Sequence, residues 1–329
     1  MFEISICIPT FNQPEMLEKT LSSLVSQDTK NVQIVINDGN SDNKNLDVVN
    51  RFTKLLNIKY VNDPGRKVDA ALLNLIEISD GKYIWWFGDD LFKKNAIKEA
   101  LNCTKGDYDC IYVNGVIHNS NRLLLESNDK ITNDKNLFLN AIGINIGFIS
   151  SFIFKKNSSV LHIDKVKNCM IEEEKFVPSP TFANVYIFLH VIAKGDNFLF
   201  HSRPLFTCQP HDGDHFLKTK VRDSGAVLND AFFVFGVNMK DILILFLDQF
   251  DEAVIKTLIN DSFKSAWRGV IVGSALGWDT TKSYNGHSKI SALIKNYYNQ
   301  PEIFLALPLF LLPEKIVRLL YRIFKQIKG

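Results

Sequence analysis

Along the N-terminal third of the chain, apolar residues recur with two alternating periods. Ile4, Ile6 and Ile8, with Cys7 between them, form a short apolar run that stops at Pro9. After Asn12-Gln13-Pro14 the spacing becomes helical, carried by Met16, Leu17, Leu21, Leu24 and Val25. Val32 to Ile36 is a second run, closed by Asn37-Asp38-Gly39-Asn40-Ser41-Asp42, and Leu46, Val49, Phe52 and Leu55 then follow at helical spacing. Ile58 to Val61 predicts a third strand and Val68 to Ser79 a helix. Lys82 to Phe87 predicts a fourth strand, which stops at Gly88-Asp89-Asp90 before a helix over Lys93 to Leu101. Strands alternating with helices imply an α/β fold with a mostly parallel sheet, whose ligands sit beyond the carboxyl ends of the strands. Each polar cluster just named lies at such an end.

Farther along, Phe148 to Phe154 reads as a strand. Two apolar stretches, Phe198 to Phe200 and Pro204 to Thr207, lead into the polar loop His211-Asp212-Gly213-Asp214-His215. From Asp230 the pattern is helical, through Phe232 to Phe250 and Ala253 to Leu276, with a charged break at Asp248 to Glu252. The polar stretch Asp279 to Lys289 and the apolar run Ile303 to Leu312 precede the last segment, Lys315 to Lys328. There Lys315, Arg318, Arg322, Lys325 and Lys328 make one stripe, and Ile316, Val317, Leu320, Ile323, Phe324 and Ile327 occupy the rest. A basic amphipathic helix of this kind fits an anionic membrane surface; the alternative is a packed helix with its basic stripe in water.

Composition narrows the field. The 329 residues are 46% hydrophobic and 22% charged, enough for one large domain or two small ones with real cores. Lys+Arg 38 against Asp+Glu 36 gives a net charge of +2, which provides no global field for nucleic acid, and no nucleic-acid partner is expected. Cys7, Cys103, Cys110, Cys169 and Cys208 are odd in number and never spaced C-x-x-C, so neither a disulfide framework nor a zinc knuckle is expected, and a reducing compartment is. Glu3 interrupts the start, where a leader peptide would need a basic then apolar region, and the longest apolar stretches, Ala141 to Phe154 and Ile303 to Leu312, fall short of the roughly 20 residues that span a bilayer. No G-x-G-x-x-G follows the first strand, and neither G-x-x-x-x-G-K-[ST] nor G-x-S-x-G occurs, which disfavours dehydrogenases, P-loop enzymes and α/β serine hydrolases.

Three segments together carry a resemblance. Ser5-Ile6-Cys7-Ile8-Pro9-Thr10-Phe11-Asn12, Ile34-Val35-Ile36-Asn37-Asp38-Gly39-Asn40-Ser41-Asp42, and Gly81-Lys82-Tyr83-Ile84-Trp85-Trp86-Phe87-Gly88-Asp89-Asp90 resemble, in order and spacing, the signatures of family 2 glycosyltransferases with the GT-A fold. The Asp63-Pro64-Gly65 to Asp69 segment, with the Trp-Phe-Gly-Asp-Asp ending, is similar to the abequosyltransferase-like subgroup of bacterial surface-polysaccharide synthesis. The resemblance implies a GT-A domain over 1–220, with a nucleotide-binding half (1–115) and an acceptor half (116–220), and leaves 221–329 as a helical C-terminal region, with membrane association as the expectation for its basic helix. It also implies a nucleoside-diphosphate sugar donor, a lipid-linked glycan acceptor, inversion at the transferred sugar, and a cytoplasmic location on the inner face of the cytoplasmic membrane.

Residue by residue, the resemblance gives Asp38 the base, Pro9, Thr10 and Asn12 the base and ribose, and Asp69 a place at the donor; the charges of Arg66 and Lys67, just after the Gly65 turn, suit the diphosphate, the alternative being solvated loop charges. The bland reading of Asp38 is an Asx-turn beside Gly39. Adjacent Asp89 and Asp90 repel unless a cation pairs them, so Mg²⁺ or Mn²⁺ is expected there, Asp89 also facing the donor; the alternative is an N-cap for the next helix. The family pattern is commonly Asp-x-Asp-Asp, and Phe87 stands where its first Asp falls. Counting back from Gly195, the family's Glu-Asp pair becomes Ala183-Asn184, and Asn cannot take a proton. Candidate bases are then Asp212 and Asp214, or Glu172, Glu173 and Glu174, with His211 a candidate late metal ligand; the alternatives are a solvated charge run for the three glutamates and an exposed polar turn for the loop. A nucleotidyltransferase would need a basic loop where Thr10-Phe11-Asn12-Gln13 stands, and a catalytically silent binding subunit is the other alternative.

Overall fold

The computed structural model describes residues 2–66, 68–118, 122–173, 182–209, 238–275, 297, 312–313, 315–316, 319–320 and 323. Its strands are β1 (Phe2–Thr10), β2 (Val32–Asp38), β3 (Ile58–Asn62), β4 (Gly81–Trp86), β5 (Leu91–Phe92), β6 (Cys110–Ile117), β7 (Lys130–Thr132), β8 (Phe152–Lys155) and β9 (Phe198–Cys208). The helices are α1 (Pro14–Val25), α2 (Lys44–Phe52), α3 (Val68–Ile78), α4 (Ala96–Thr104), α5 (Lys135–Ile142), α6 (Lys156–Glu173), α7 (Ala183–Lys194), α8 (Met239–Ile244) and α9 (Glu252–Ala275).

The strands form one nine-stranded sheet in the order β3-β2-β1-β4-β8-β6-β9-β5, with β7 on β9. β1 pairs in parallel with β2 (Ile6↔Ile34) on one side and with β4 (Ile6↔Trp85) on the other, and β6 pairs in parallel with β9. β8 runs antiparallel between β4 and β6, and β5 and β7 run antiparallel to β9. Helices cover both faces of the parallel part, which is why every residue of β2 is buried and the strand reads as a continuous apolar run. On one face Ile4, Ile6, Ile8, Ile34 and Ile36 join Leu17, Leu21 and Leu24 of α1 and Val48, Val49 and Phe52 of α2 in a single core. Strand alternation sends Trp85 to that core, edge-on to Phe87 and Phe92, and Trp86 to the other face against Phe154 and Phe188.

After β1 the chain builds β2 and β3 on one side and then crosses to β4 on the other. The carboxyl ends of β1 and β4 therefore flank the crevice at which open α/β sheets bind ligands.

Several elements differ from expectation, each through a long-range partner. The helix expected from Lys93 begins at Ala96, because Leu91 and Phe92 are drawn into the sheet opposite Thr207 and Phe206. Asp89 and Asp90 thus lie ahead of a strand and cap no helix. In the stretch expected as a strand over Phe148 to Phe154, a 3-10 turn at Ile149–Ser151 comes first, and only Phe152–Lys155 is strand. The two apolar stretches around residues 198 and 207 are one strand, β9. Pro204, which lacks an N–H, sits opposite Asn114 where the β6–β9 register shifts.

The chain divides into two compact units, one of Met1–Cys169, Phe182–Pro210 and Asp248–Val254, the other of Met170–Thr181, His211–Leu247 and Ile255–Gly329. In the second unit Phe263 packs its ring 4.8 Å from buried Tyr297, and Lys240 lies over the same ring at 5.3 Å. Residues 315–316, 319–320 and 323 are helical, and Ile316, Leu319, Leu320 and Ile323 are all exposed. Among the described residues no helix is long and apolar enough to cross a membrane.

Candidate functional site

At the end of β1, Thr10 is buried and its carbonyl accepts the Gly39 N–H at 3.0 Å, binding the tips of β1 and β2 together. Asn12 then takes a left-handed turn (φ 55), a conformation asparagine tolerates, and its N–H donates to Asn40 Oδ1 at 2.9 Å. Asn12 is exposed and Pro9 half-buried. Pro14 occupies the first turn of α1, where its missing N–H costs nothing.

Asp38 ends β2 fully buried, and its carboxylate is an organising centre. Oδ1 accepts from the Asn40 N–H and from Asn45 Nδ2, both at 2.9 Å, and Oδ2 accepts from the Tyr60 hydroxyl at 2.7 Å. Burial first, then the bond to Asp38, pushes the Tyr60 phenol up from its ordinary value. The bond to the Asn40 N–H is the local turn contact considered above, extended by two side chains from α2 and β3. The Asp63-Pro64-Gly65 turn closes over this centre, with the Asp63 N–H on the Asp38 carbonyl (2.8 Å) and the Gly65 N–H on the Gly39 carbonyl (2.9 Å). Gly65 holds φ +82, which favours glycine at that turn, and a Cβ on Gly39 would stand 3.0 Å from the Arg66 carbonyl oxygen and 3.1 Å from the Phe11 ring, tighter than an ordinary contact. Arg66 forms an ion pair with Asp63. Around Asp38, the buried amide of Asn37, Asn40 Nδ2 and Asn45 Oδ1 find no hydrogen-bond partner among the described residues, which marks the tip of β2 as suited to a polar ligand.

Across the crevice, Ser150 fixes the end of β4, its hydroxyl accepting the Gly88 N–H at 3.0 Å and its carbonyl the Trp85 Nε1–H at 2.9 Å. Phe87 is buried and stacks on Phe92 at 3.7 Å, so the position of the family's first carboxylate belongs to the core. Asp89 and Asp90 are half-buried. An amide oxygen of Gln13 facing Asp89 would set acceptor against acceptor; with the nitrogen turned inward it donates to both carboxylate oxygens, at 2.6 and 2.8 Å. Asp90 Oδ1 accepts the Gln209 N–H at 3.3 Å, and the Asp90 backbone carbonyl accepts from Thr20 Oγ1 at 3.0 Å. Burial and then the charge of Asp90 push the Cys208 thiol up to about 12. The Asp89–Asp90 pair offers hard oxygen donors, as Mg²⁺ or Mn²⁺ requires when one or two carboxylates and substrate phosphates share the ion. Among the described residues no three His, Cys, Asp or Glu side chains form a complete cage.

Asp69 is also buried, and its Oδ1 accepts the Phe182 and Ala183 N–H groups at 3.1 and 2.9 Å, placing a negative charge at the start of α7. These two bonds tie the segment that ends at Asp69 to the start of α7. Asn184 lies in that first turn, 3% exposed, with Nδ2 donating to the Gly147 carbonyl at 3.3 Å, and Gly195 ends the helix as the count from it implied. Glu172 and Glu173 fall in α6. Lys67, Glu174, His211, Asp212 and Asp214 lie outside the described residues. The structure thus brings Thr10, Asn12, Asp38, Asp89 and Asp90 to the carboxyl ends of β1, β2 and β4. Sequence reading missed Gln13, Asn45 and Tyr60, whose roles depend on partners 76, 7 and 22 residues away and leave no local signal.

Residues 5–161 match the glycosyl transferase family 2. The chain is 25% identical over 237 residues to the abequosyltransferase RfbV of Salmonella typhimurium, a match covering 65% of this chain and 68% of that protein. It is 25% identical over 138 residues to the GalNAc(5)-diNAcBac-PP-undecaprenol beta-1,3-glucosyltransferase of Campylobacter jejuni, covering 40% of this chain but only 43% of that protein. The S. aureus TarS 1-349 structure in complex with UDP-GlcNAc superposes with a TM-score of 0.59 at 13% identity, over 85% of this chain and 77% of that one. Residues 5–161 are a glycosyl transferase family 2 domain, and the chain is a glycosyltransferase with the GT-A fold.

Proposed function

We propose that this glycosyltransferase moves a sugar from a nucleoside-diphosphate donor to a hydroxyl of a lipid-linked glycan, with inversion, in the synthesis of a bacterial surface polysaccharide. The convergence of Thr10, Asn12 and Asp38 with Asp89 and Asp90 at the carboxyl ends of the paired strands β2, β1 and β4 supports this reading, because a base acceptor and a carboxylate pair suited to a cation are what such a donor needs. Pro9, Thr10 and Asn12 line the base and ribose, and Asp38 accepts from the base once its internal network opens. Arg66 and Lys67 meet the diphosphate. Asp89 and Asp90, with His211, hold a divalent cation, which supplies charge neutralisation for the departing diphosphate. Asp212 and Asp214 are the candidate bases for the acceptor hydroxyl, since Asn184 cannot take its proton. The lipid-linked acceptor is suggested by the undecaprenol-linked substrate in the name of the Campylobacter relative.

A thermal-shift screen of UDP-, dTDP-, GDP- and CDP-sugars with and without Mn²⁺ tests the donor class. A ligand at a hundredfold its Kd stabilises the native state by about 2.7 kcal/mol. One base class should raise Tm, more so with Mn²⁺; no shift with any of the four overturns the reading.

A second reading concerns the last helix, whose exposed Ile316, Leu319, Leu320 and Ile323 recur at three- and four-residue steps opposite the basic residues. We propose that it lies on the inner face of the cytoplasmic membrane, its apolar face in the headgroup boundary and its basic residues on anionic lipid. Truncation before Lys315 should abolish sedimentation with vesicles containing acidic lipid and leave nucleotide binding intact. Equal pelleting of both proteins, or of neither, removes this role.

A further inference from the structure

Gln13 stands at the N-cap of α1 but makes no side-chain cap bond to the helix. Its amide nitrogen is instead against both oxygens of Asp89, at 2.6 and 2.8 Å. That geometry occupies the edge of the carboxylate from which both oxygens could hold one cation. The neighbouring positions give Asp89 added weight: Phe87 is committed to the core, and Asp90 Oδ1 already accepts from Gln209. Gln13 also directly follows the Pro9–Asn12 segment, and the Asn12 N–H is tied to Asn40 at the tip of β2. A shift of that loop on base binding would be felt one residue later.

We infer that Gln13 is a latch on Asp89, a positioning residue whose amide holds the carboxylate in the donor-free protein and must release it for a cation to bind. The inference rests on the metal reading given above. A charge-assisted hydrogen bond that competes with the cation weakens it by the strength of that bond, which corresponds to a factor of about ten or more. Gln13→Ala removes this competing bond. Gln13→Glu removes it as well and sets a second carboxylate, an oxygen donor, beside the first.

The test is Mn²⁺ alone, titrated into the full chain and followed by the electron paramagnetic resonance of the free ion, for wild type, Gln13→Ala, Gln13→Glu and Asp89→Asn, all checked for unchanged Tm before Mn²⁺ is added. The latch predicts that Gln13→Ala binds Mn²⁺ about tenfold tighter than wild type and Gln13→Glu at least as tightly as Gln13→Ala. Asp89→Asn should bind least, and adding it to Gln13→Ala should cancel the gain. Wild-type binding that needs Asp89 but is unchanged or weaker in Gln13→Ala overturns the latch and leaves the metal reading standing. Binding that is indifferent to Asp89, or absent from every variant, overturns both.

Discussion

Replacing Asp38 with alanine removes the single acceptor shared by Asn45 Nδ2, the Asn40 N–H and the Tyr60 hydroxyl. Asn45 is fully buried and retains only a long contact of 3.5 Å to Thr10 Oγ1, and the Asn40 N–H is buried beneath the Gly65 turn. Each stranded buried donor costs about 1–3 kcal/mol, so two of them cost roughly 2–6 kcal/mol, while half-buried Tyr60 can turn toward water. For a domain of this size that is a fall in Tm on the order of 10 °C. Asp38→Asn behaves differently. Its oxygen still serves Asn40 and Asn45, and its new N–H₂ meets the Tyr60 oxygen, which can accept; the cost falls to about 1 kcal/mol, a few degrees. Thermal unfolding by circular dichroism compares the two, and donor binding is then measured on Asp38→Asn, the variant that keeps the fold. If alanine is as stable as wild type, the carboxylate does not organise the tip of β2 and the reasoning fails.

Other outcomes follow from the same contacts. Asp69→Ala strands the Phe182 and Ala183 N–H groups at the start of α7, and should lower the free energy of urea unfolding by about 2–4 kcal/mol, with Asp69→Asn costing less than half as much. Burial, partly offset by Asp129, holds His201 below its ordinary pKa. The unfolded chain therefore binds more protons just below pH about 6.5, and stability should decline as pH falls through that value toward the folded pKa. Urea titrations of wild type and His201→Phe check this, since the variant should lose that part of the slope. Asp212→Asn or Asp214→Asn should lower kcat roughly 10²-fold or more, and Asn184→Ala less, in donor turnover at matched stability; near wild-type rates in both loop variants place the base elsewhere.

What could be read from sequence was whatever the local period determines. β1 to β4 and α1 to α3 appear where apolar runs and helical spacing placed them, within a few residues, because burial on both faces of a parallel sheet writes itself into consecutive residues. The misread elements owe their form to distant partners. Leu91–Phe92 became strand through β9, and β8 is cut to Phe152–Lys155 because only that stretch fits between β4 and β6. The same division holds in the site. Asp38, Asp89 and Asp90 stand at strand ends that the pattern marks, whereas the Gln13 grip on Asp89 and the Tyr60 bond to Asp38 belong to tertiary geometry. Asp69 shows the limit of local pattern, since the helix start that it holds lies 113 residues away and no spacing announces that bond.

The central claim, donor cleavage assisted by a cation on Asp89, is tested most directly by release of nucleoside diphosphate from the donor that the thermal screen selects. Wild type is assayed with Mn²⁺, with Mn²⁺ plus excess chelator, and beside Asp89→Asn at equal folded concentration. The account predicts release that Mn²⁺ supports, that chelator suppresses, and that Asp89→Asn lowers by roughly 10²-fold or more, the scale on which removing a group that stabilises developing charge acts. Release that persists undiminished in chelator and in Asp89→Asn would contradict it.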